Sequence, residues 1–258
     1  MSSSIQFEKH NGVGIITLNR PDVLNSFNTA MAKQCQDALD QCATDQEIRS
    51  VMITGAGRAF CAGQDLEEAL DPNMKLADIV NNTYNPIIRK IRQLEKPVVC
   101  AVNGVAAGAG ANIAFACDIT IAAESANFIQ SFANIGLIPD SGGTYFLPRL
   151  VGMQKATAMA MLAEKISAEK AAELGLIYQH VPDTELSEAA MKLAVRLASL
   201  PTRGLALTKK AFMEGMNNTL DQQLELEAQL QAEAGATSDH REGVNAFLEK
   251  RKPQFTGA

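Results

Sequence analysis

Between Pro97 and Cys117 the chain carries no charged side chain, and this run restricts the fold more than any other feature of the sequence. It is long enough to cross a bilayer. Its composition, however, is not that of a membrane helix: it is rich in Gly and Ala, contains Asn103 and Asn112, and has no cationic flank beyond Lys96. The β-branched residues at 98–102 read as a buried strand, and the small residues after them let neighbouring backbone approach closely. A buried spine of this kind must be covered by other elements, so the chain has to build layers around it.

The flanking text supplies those layers. Residues 5–9 and 14–18 read as two short strands joined by His10-Asn11-Gly12, a hairpin signal. Residues 29–43 have helical spacing, with Met31, Cys35, Ala38 and Leu39 on one face. Further strands are expected at 50–54, ending in Gly55-Ala56-Gly57, and at 118–122, while a charged helical stretch runs to Leu94 and breaks at Lys96-Pro97. Strands alternating with helices indicate an α/β core with crossover connections. From about Met153 the pattern turns helical, at 153–163, 168–174, 186–200 and 219–234, with only 177–181 strand-like. We expect a core domain over residues 1–195 and a C-terminal helical oligomerisation region over 196–258.

Charge and composition exclude several functions. The 23 Lys+Arg against 29 Asp+Glu leave a net charge of -6, which argues against a nucleic-acid-binding surface. An anionic ligand must then find local positive charge or free backbone N–H groups. Met1-Ser2-Ser3-Ser4-Ile5 shows neither the cationic nor the apolar part of a secretory signal, so a soluble cytoplasmic protein is expected. The five cysteines, without CxxC or metal spacing, read as small buried apolar residues of a reduced compartment. There is no Gly-x-Ser-x-Gly, no metal-ligand spacing, and His10, His180 and His240 stand in unrelated contexts. Serine and metal hydrolases are therefore not expected, and His180 reads as a structural or surface histidine.

Three clusters of small residues remain. Gly108-Ala109-Gly110 fits a dinucleotide fingerprint only loosely, and Val105-Ala106-Ala107 separate it from the strand before, so NAD is not expected. Ala109 lies where a helix should begin, and its N–H could face a developing oxyanion. Cys61-Ala62-Gly63-Gln64-Asp65 is a second such turn, although tight turns and helix packing account for either cluster equally well. In Pro139-Asp140-Ser141-Gly142-Gly143-Thr144, Asp140 reads in two ways. It is either a cap or turn residue, or a carboxylate set against Phe128, Phe132, Ile135, Leu137 and Ile138, where burial would raise its pKa toward a usable proton-transfer value.

Taken in order, these segments resemble the crotonase, or enoyl-CoA hydratase/isomerase, superfamily over nearly the whole chain. The likeness rests on Leu18-Asn19-Arg20-Pro21 with Leu24-Asn25-Ser26-Phe27, and on Gly57-Arg58-Ala59-Phe60-Cys61-Ala62-Gly63-Gln64-Asp65-Leu66. It continues through Lys96-Pro97-Val98-Val99-Cys100-Ala101-Val102-Asn103-Gly104, Gly108-Ala109-Gly110, Gly136-Leu137-Ile138-Pro139-Asp140-Ser141-Gly142-Gly143-Thr144 and Leu147-Pro148-Arg149, and into the tail from Arg241 to Arg251. The resemblance implies an α/β fold, the crotonase (ClpP-like) spiral of ββα units with a C-terminal helical trimerisation region. It also implies acyl-CoA substrates that carry their own coenzyme A, so that no separate cofactor and no metal are needed. A homotrimer or dimer of trimers is expected, with no nucleic-acid or membrane partner. The two N–H groups that hold the thioester oxygen fall by resemblance on Gln64 and Ala109. Ala62, Gln64, Asp65 and Leu66 fall along the bound CoA, and Phe247 and Lys250 near it, from the same or a neighbouring subunit. Residues 241–258 contain four Lys+Arg against two Glu, a local positive charge suited to that role.

Departures from the family pattern bear on the reaction. Hydratases of the family carry two glutamates where this chain has Asn112 and Phe132, and Gly where it has Asp140. The Pro-Asp-Ser-Gly-Gly segment, Ala106-Ala107-Gly108-Ala109-Gly110-Ala111, Gln130-Ser131-Phe132 and the ending Phe255-Thr256-Gly257 are similar to the ring-epoxide isomerases of bacterial phenylacetate catabolism. The implied activity is an isomerase that converts ring-1,2-epoxyphenylacetyl-CoA to oxepin-CoA, shifts 3-enoyl-CoA to 2-enoyl-CoA, or both. Asp140 would be the catalytic acid/base, Gln64 and Ala109 the oxyanion hole. Phe132, Ser141, Tyr145 and residues 67–84 would line the acyl pocket. The alternatives are an enoyl-CoA hydratase that recruits other groups and a non-catalytic acyl-CoA-binding protein of the same fold.

Overall fold

The computed structural model describes residues 3–72 and 74–258. β1 (Ile5–His10) and β2 (Val13–Leu18) pair as a hairpin that turns on Asn11 and Gly12, both left-handed. α1 (Thr29–Thr44) begins at Asn28, whose side chain accepts the Met31 N–H, and buries the Met31, Cys35, Ala38 and Leu39 face expected of it. The chain then repeats one pattern three times: a strand, a sharp corner, a three-residue strand, and helix. The first repeat is β3 (Ser50–Gly55) and β4 (Ala59–Cys61), followed by α2 (Leu66–Ala69), α3 (Leu76–Ile79) and α4 (Asn85–Gln93). The second is β5 (Val98–Val102), β6 (Val105–Ala107) and α5 (Ala109–Ala116). The third is β7 (Ile119–Ala123) and β8 (Asn127–Ile129), with α6 (Gly143–Val151) and α7 (Met153–Leu162). After these come β9 (Lys165–Ser167), α8 (Ala168–Glu173), β10 (Gln179–Val181) and α9 (Leu186–Ala198). Finally α10 (Thr202–Gly215), α11 (Leu220–Gly235) and α12 (Ser238–Leu248) complete the C-terminal part.

Each repeat feeds two sheets. The larger has the order β1-β2-β3-β5-β7-β10, the smaller β4-β6-β8-β9. Pairing is antiparallel at β1–β2 and β8–β9, and parallel at the other ladders. This is the expected spiral of ββα units, and the uncharged run is its spine: every residue of β5 and of α5 is buried. Among the described residues no helix is long and apolar enough to cross a membrane. The cysteines Cys35, Cys42, Cys61, Cys100 and Cys117 are all buried and free.

The corners between the sheets explain several of the motifs. Asn25, fully buried and left-handed, donates to the carbonyls of Ala56 (2.9 Å) and Ala59 (2.8 Å). Asn103 accepts the Gly55 N–H and donates to the Gly57 carbonyl. A side chain on Gly104 would meet the Arg58 carbonyl, so the two corners touch backbone to backbone. Asp118 ties the C-terminal helices to this core, accepting from Arg92 (2.9 Å), from the buried Lys209 (2.8 Å) and from the Val98 N–H (2.9 Å).

β4, β6 and β8 are not signalled in the sequence. Three residues such as Val105-Ala106-Ala107 are too few for alternation to register, and only their sheet partners make them strands. α10 is likewise not signalled, and it begins directly after Pro201, its N-cap residue.

A close approach beside the site lies at Gly110, where an added Cβ would meet the Cys61 carbonyl and come within 2.7 Å of its Sγ. Gly110→Ala is expected to cost about 1–3 kcal/mol through overpacking and to lower the melting temperature by several degrees. A thermal melt with an unchanged midpoint would show that this approach is not tight.

Candidate active site

Three segments meet over a cavity of about 600 Å³. The turn between β4 and α2 contributes residues 62–66, the junction of β6 and α5 contributes Gly108 and Ala109, and the segment before α6 contributes Phe132, Ile135, Leu137 and Asp140. Leu76, Ile79, Val80 and Tyr84 add an apolar wall.

The first two segments present backbone donors. Phe27 and Gln64 form a parallel bridge in which the Phe27 N–H donates to the Gly63 carbonyl (2.7 Å) and the Asp65 N–H to the Phe27 carbonyl (2.8 Å). Residues 63 and 65 thus face Phe27, and by strand alternation the Gln64 N–H points the other way. Ala109 is the first residue of α5, where an N–H has no carbonyl four residues back within the helix. Gly63 (φ +100°) brings the two turns together: a Cβ on it would lie 3.1 Å from the Ala107 carbonyl and 3.8 Å from the Ala109 nitrogen. The Gln64 side chain is held separately, accepting from the Tyr84 hydroxyl at 2.6 Å. Tyr84 is buried and packs edge-on against Phe27.

Asp140 stands on a distorted turn. Ser141 (φ +51°) and Gly142 (φ +77°) are consecutive left-handed residues, and the Asp140 carbonyl accepts the Gly143 N–H at 2.8 Å. Both readings of Asp140 from sequence therefore meet in one residue: it belongs to a turn, and it lines the cavity, although Gly142 rather than Asp140 is the cap of α6. Burial pushes the Asp140 carboxyl above its ordinary range, and the Ser141 hydroxyl, donating to Oδ1 at 2.8 Å, opposes that rise in part. The other two carboxylates of the lining differ. Asp65 is paired with Arg20 at 2.7 Å and caps α2 through the Glu67 N–H, and Glu67 is exposed.

Not every expected residue is placed at the cavity. Phe132, Ile135 and Leu137 line it, but Phe128 lies in the core against Phe115, and Ile138 is exposed over a neighbouring groove with Met153 and Met161. Asn112 is fully buried within α5 and donates to the Asp140 carbonyl at 2.8 Å instead of lining the cavity. Ser141 is buried and does not line the cavity, and Tyr145 turns away to Arg149. Ala62, Gln64, Asp65 and Leu66 are together as expected. Phe247 and Lys250 are exposed at the end of α12, and Phe247 lines a separate groove with Pro201, Thr237 and Phe255, so the chain does not carry them to its own cavity. Tyr84 and Arg20 are cavity residues to which the sequence attaches no individual role: Arg20 sits inside a quoted motif, and Tyr84 ends a stretch without one. None of the three histidines lines the cavity, and among the described residues no group of His, Cys, Asp and Glu could hold a metal ion.

Gln64, Ala109 and the carboxyl of raised proton affinity at Asp140 all line one largely apolar cavity. Such a set can polarise a carbonyl and move a proton beside it.

Residues 8–258 match the family model described as enoyl-CoA hydratase/isomerase. The 1,2-epoxyphenylacetyl-CoA isomerase of Escherichia coli (strain K12) is 52% identical over 250 residues, 95% of each chain. The short-chain-enoyl-CoA hydratase of Clostridium acetobutylicum is 36% identical over 251 residues, 97% of this chain and 96% of that one. Among solved structures, an enoyl-CoA hydratase from Bacillus anthracis superposes with a TM-score of 0.92 at 35% identity, covering 99% of this chain and 100% of the other. The chain belongs to the enoyl-CoA hydratase/isomerase family and has the crotonase fold.

Proposed function

We propose that the protein is an acyl-CoA isomerase in which Gln64 and Ala109 hold the thioester oxygen and Asp140 moves the proton. The observation that carries this reading is the buried environment of Asp140. Asp140 is the lining carboxyl whose proton affinity burial raises, and the residue that could have been its partner, Asn112, is buried away from the cavity.

In the double-bond shift, the Asp140 carboxylate takes a proton from C2 of a 3-enoyl thioester, and the electron pair moves into an enolate whose oxygen accepts from the Gln64 and Ala109 N–H groups. The resulting carboxylic acid returns that proton to C4, leaving the 2-enoyl product. Loss of one oxyanion-hole donor, there a side-chain amide, costs about 10²–10³ in kcat in a well-studied hydrolase. For a ring-1,2-epoxyphenylacetyl thioester, the C–C bond shared by epoxide and ring breaks as the ring expands, leaving a double bond β,γ to the thioester. Asp140 then takes the C2 proton and returns it to the γ ring carbon, the same three groups serving to give the conjugated oxepin-CoA. The apolar wall of Leu76, Ile79, Val80 and Phe132 suits either acyl group. The high identity to an epoxyphenylacetyl-CoA isomerase favours the ring epoxide.

We further propose that residues 196–258 assemble a homotrimer or a dimer of trimers. Phe212, Leu220, Leu224 and Leu248 are all exposed apolar residues of this part. Phe247 and Lys250 would then reach the CoA of a neighbouring subunit.

Purified protein should convert both the ring epoxide and a 3-enoyl-CoA, the latter followed by the absorbance of the conjugated product. Asp140→Asn is expected to lower kcat/KM by about 10²–10⁴ while CoA still binds, and full activity in that variant would remove the role of Asp140. The base works only when ionised, so kcat/KM should fall as pH drops through the raised pKa, on a limb above the usual carboxylate value of about 4. The stability sign is opposite. A carboxyl with raised folded-state pKa costs stability when ionised, and the cost is relieved as pH falls through that pKa, so Asp140→Asn should melt higher at neutral pH. Lys250→Glu should weaken CoA binding about two- to tenfold at low salt. Unchanged affinity would remove the tail from the CoA site.

A further inference from the structure

We propose that Ser141 and Asn112 are the positioning residues of Asp140, Ser141 holding its carboxyl group and Asn112 its backbone carbonyl. The inference rests on the reading of Asp140 as the proton-transfer group. Three observations lead to it.

The first is conformational. Ser141 is buried with φ +51°, a region that Gly occupies without strain and Ser does not. Its hydroxyl donates to Asp140 Oδ1 at 2.8 Å. A strained backbone position whose side-chain hydroxyl sits on the Asp140 carboxyl points to that contact as its role.

The second is the buried amide. Asn112 is fully inaccessible in an otherwise apolar helix, its Nδ2 donates to the Asp140 carbonyl at 2.8 Å, and its Oδ1 accepts from Gln130 Nε2 at 2.9 Å. Gly143 leaves the room, since a Cβ there would come within 2.9 Å of the Asn112 amide oxygen. With the Gly143 N–H also donating at 2.8 Å, both lone pairs of the Asp140 carbonyl are used. The backbone of Asp140 is thereby fixed, and its side-chain torsion is the freedom that Ser141 restrains.

The third is that the side chains and N–H group in direct contact with Asp140 are uncharged. α5 carries no titratable side chain, and Arg149 of α6 stacks on Tyr145. The groups that share the cavity with Asp140 are Tyr84, which interacts with it electrostatically, and Arg20, Asp65 and Glu67, of which Arg20 is paired with Asp65. Removing the Ser141 hydroxyl thus leaves burial to act on Asp140 without its nearest donor.

The test measures kcat and KM against pH for Ser141→Ala, Ser141→Gly, Asn112→Ala and Asp140→Asn, with a 3-enoyl-CoA as substrate. Both Ser141 variants should move the acid limb of kcat/KM up by about one pH unit with KM within about twofold. Gly relieves the backbone strain, so a purely structural role for Ser141 would leave that variant at the parent limb. Asn112→Ala should lower kcat about ten- to hundredfold at similar KM. Should it fail to fold, the Ser141 pair decides the matter. Parent-like limbs in both Ser141 variants, beside an inactive Asp140→Asn, would overturn the positioning proposal alone. An active Asp140→Asn would overturn the reading on which it rests.

Discussion

The approach of the first turn of α5 to β4, where nothing but the hydrogen of Gly110 separates the helix from the Cys61 backbone, governs the arrangement of the site. Bulk at that point would push the helix start away, and with it the N–H of Ala109. The same economy of size recurs at Gly63, which lets the Gln64 turn lie against the end of β6, and at the corners held by Asn25 and Asn103. Backbone donors can face one space from two different repeats because side chains have been removed between them. Rigidity follows from the density of this packing, and pre-set donors need no reorganisation when charge develops on a ligand.

Against that rigid pair stands a residue held at a cost. Asp140 sits on a turn with two left-handed residues, in surroundings that oppose its ionisation. Neither feature helps the fold, and both suit a group that must bind and release a proton. The buried polar chain from Gln130 through Asn112 to the Asp140 carbonyl makes the turn singular rather than mobile. The two halves of the site thus differ in kind: backbone donors fixed by small residues, and a carboxyl fixed by amide and hydroxyl contacts.

Much of this was legible in the sequence, for physical reasons. The uncharged run between Pro97 and Cys117 announced a buried spine, and the small-residue turns at Gly63 and Gly108 announced close approach. Periodicity found α1 because sixteen residues give the pattern room to repeat, whereas β4, β6 and β8 are three residues each and are strands only by virtue of their partners. Sequence proximity overextends the apolar wall: Phe128 and Ile138 lie near Asp140 in sequence but on other faces, one in the core and one in a neighbouring groove. Tyr84 could not be singled out, because its contact with Gln64 joins elements that no local pattern connects. Phe247 and Lys250 came from resemblance alone, and within one chain they lie apart from the cavity.

On the proposed mechanism, an isomerase and a hydratase differ in the number of carboxyl groups that serve the reacting carbons. One carboxyl can carry a proton from C2 to C4. Adding water needs a second group to activate the nucleophile, and the Asn112 amide is turned to the Asp140 carbonyl instead. The most direct measurement is the ratio of the two activities in one preparation, with a 3-enoyl-CoA followed for conjugation and a 2-enoyl-CoA followed for water addition. Isomerisation with hydration slower by orders of magnitude is the expected result; hydration at a comparable rate would contradict a single proton-carrying carboxyl.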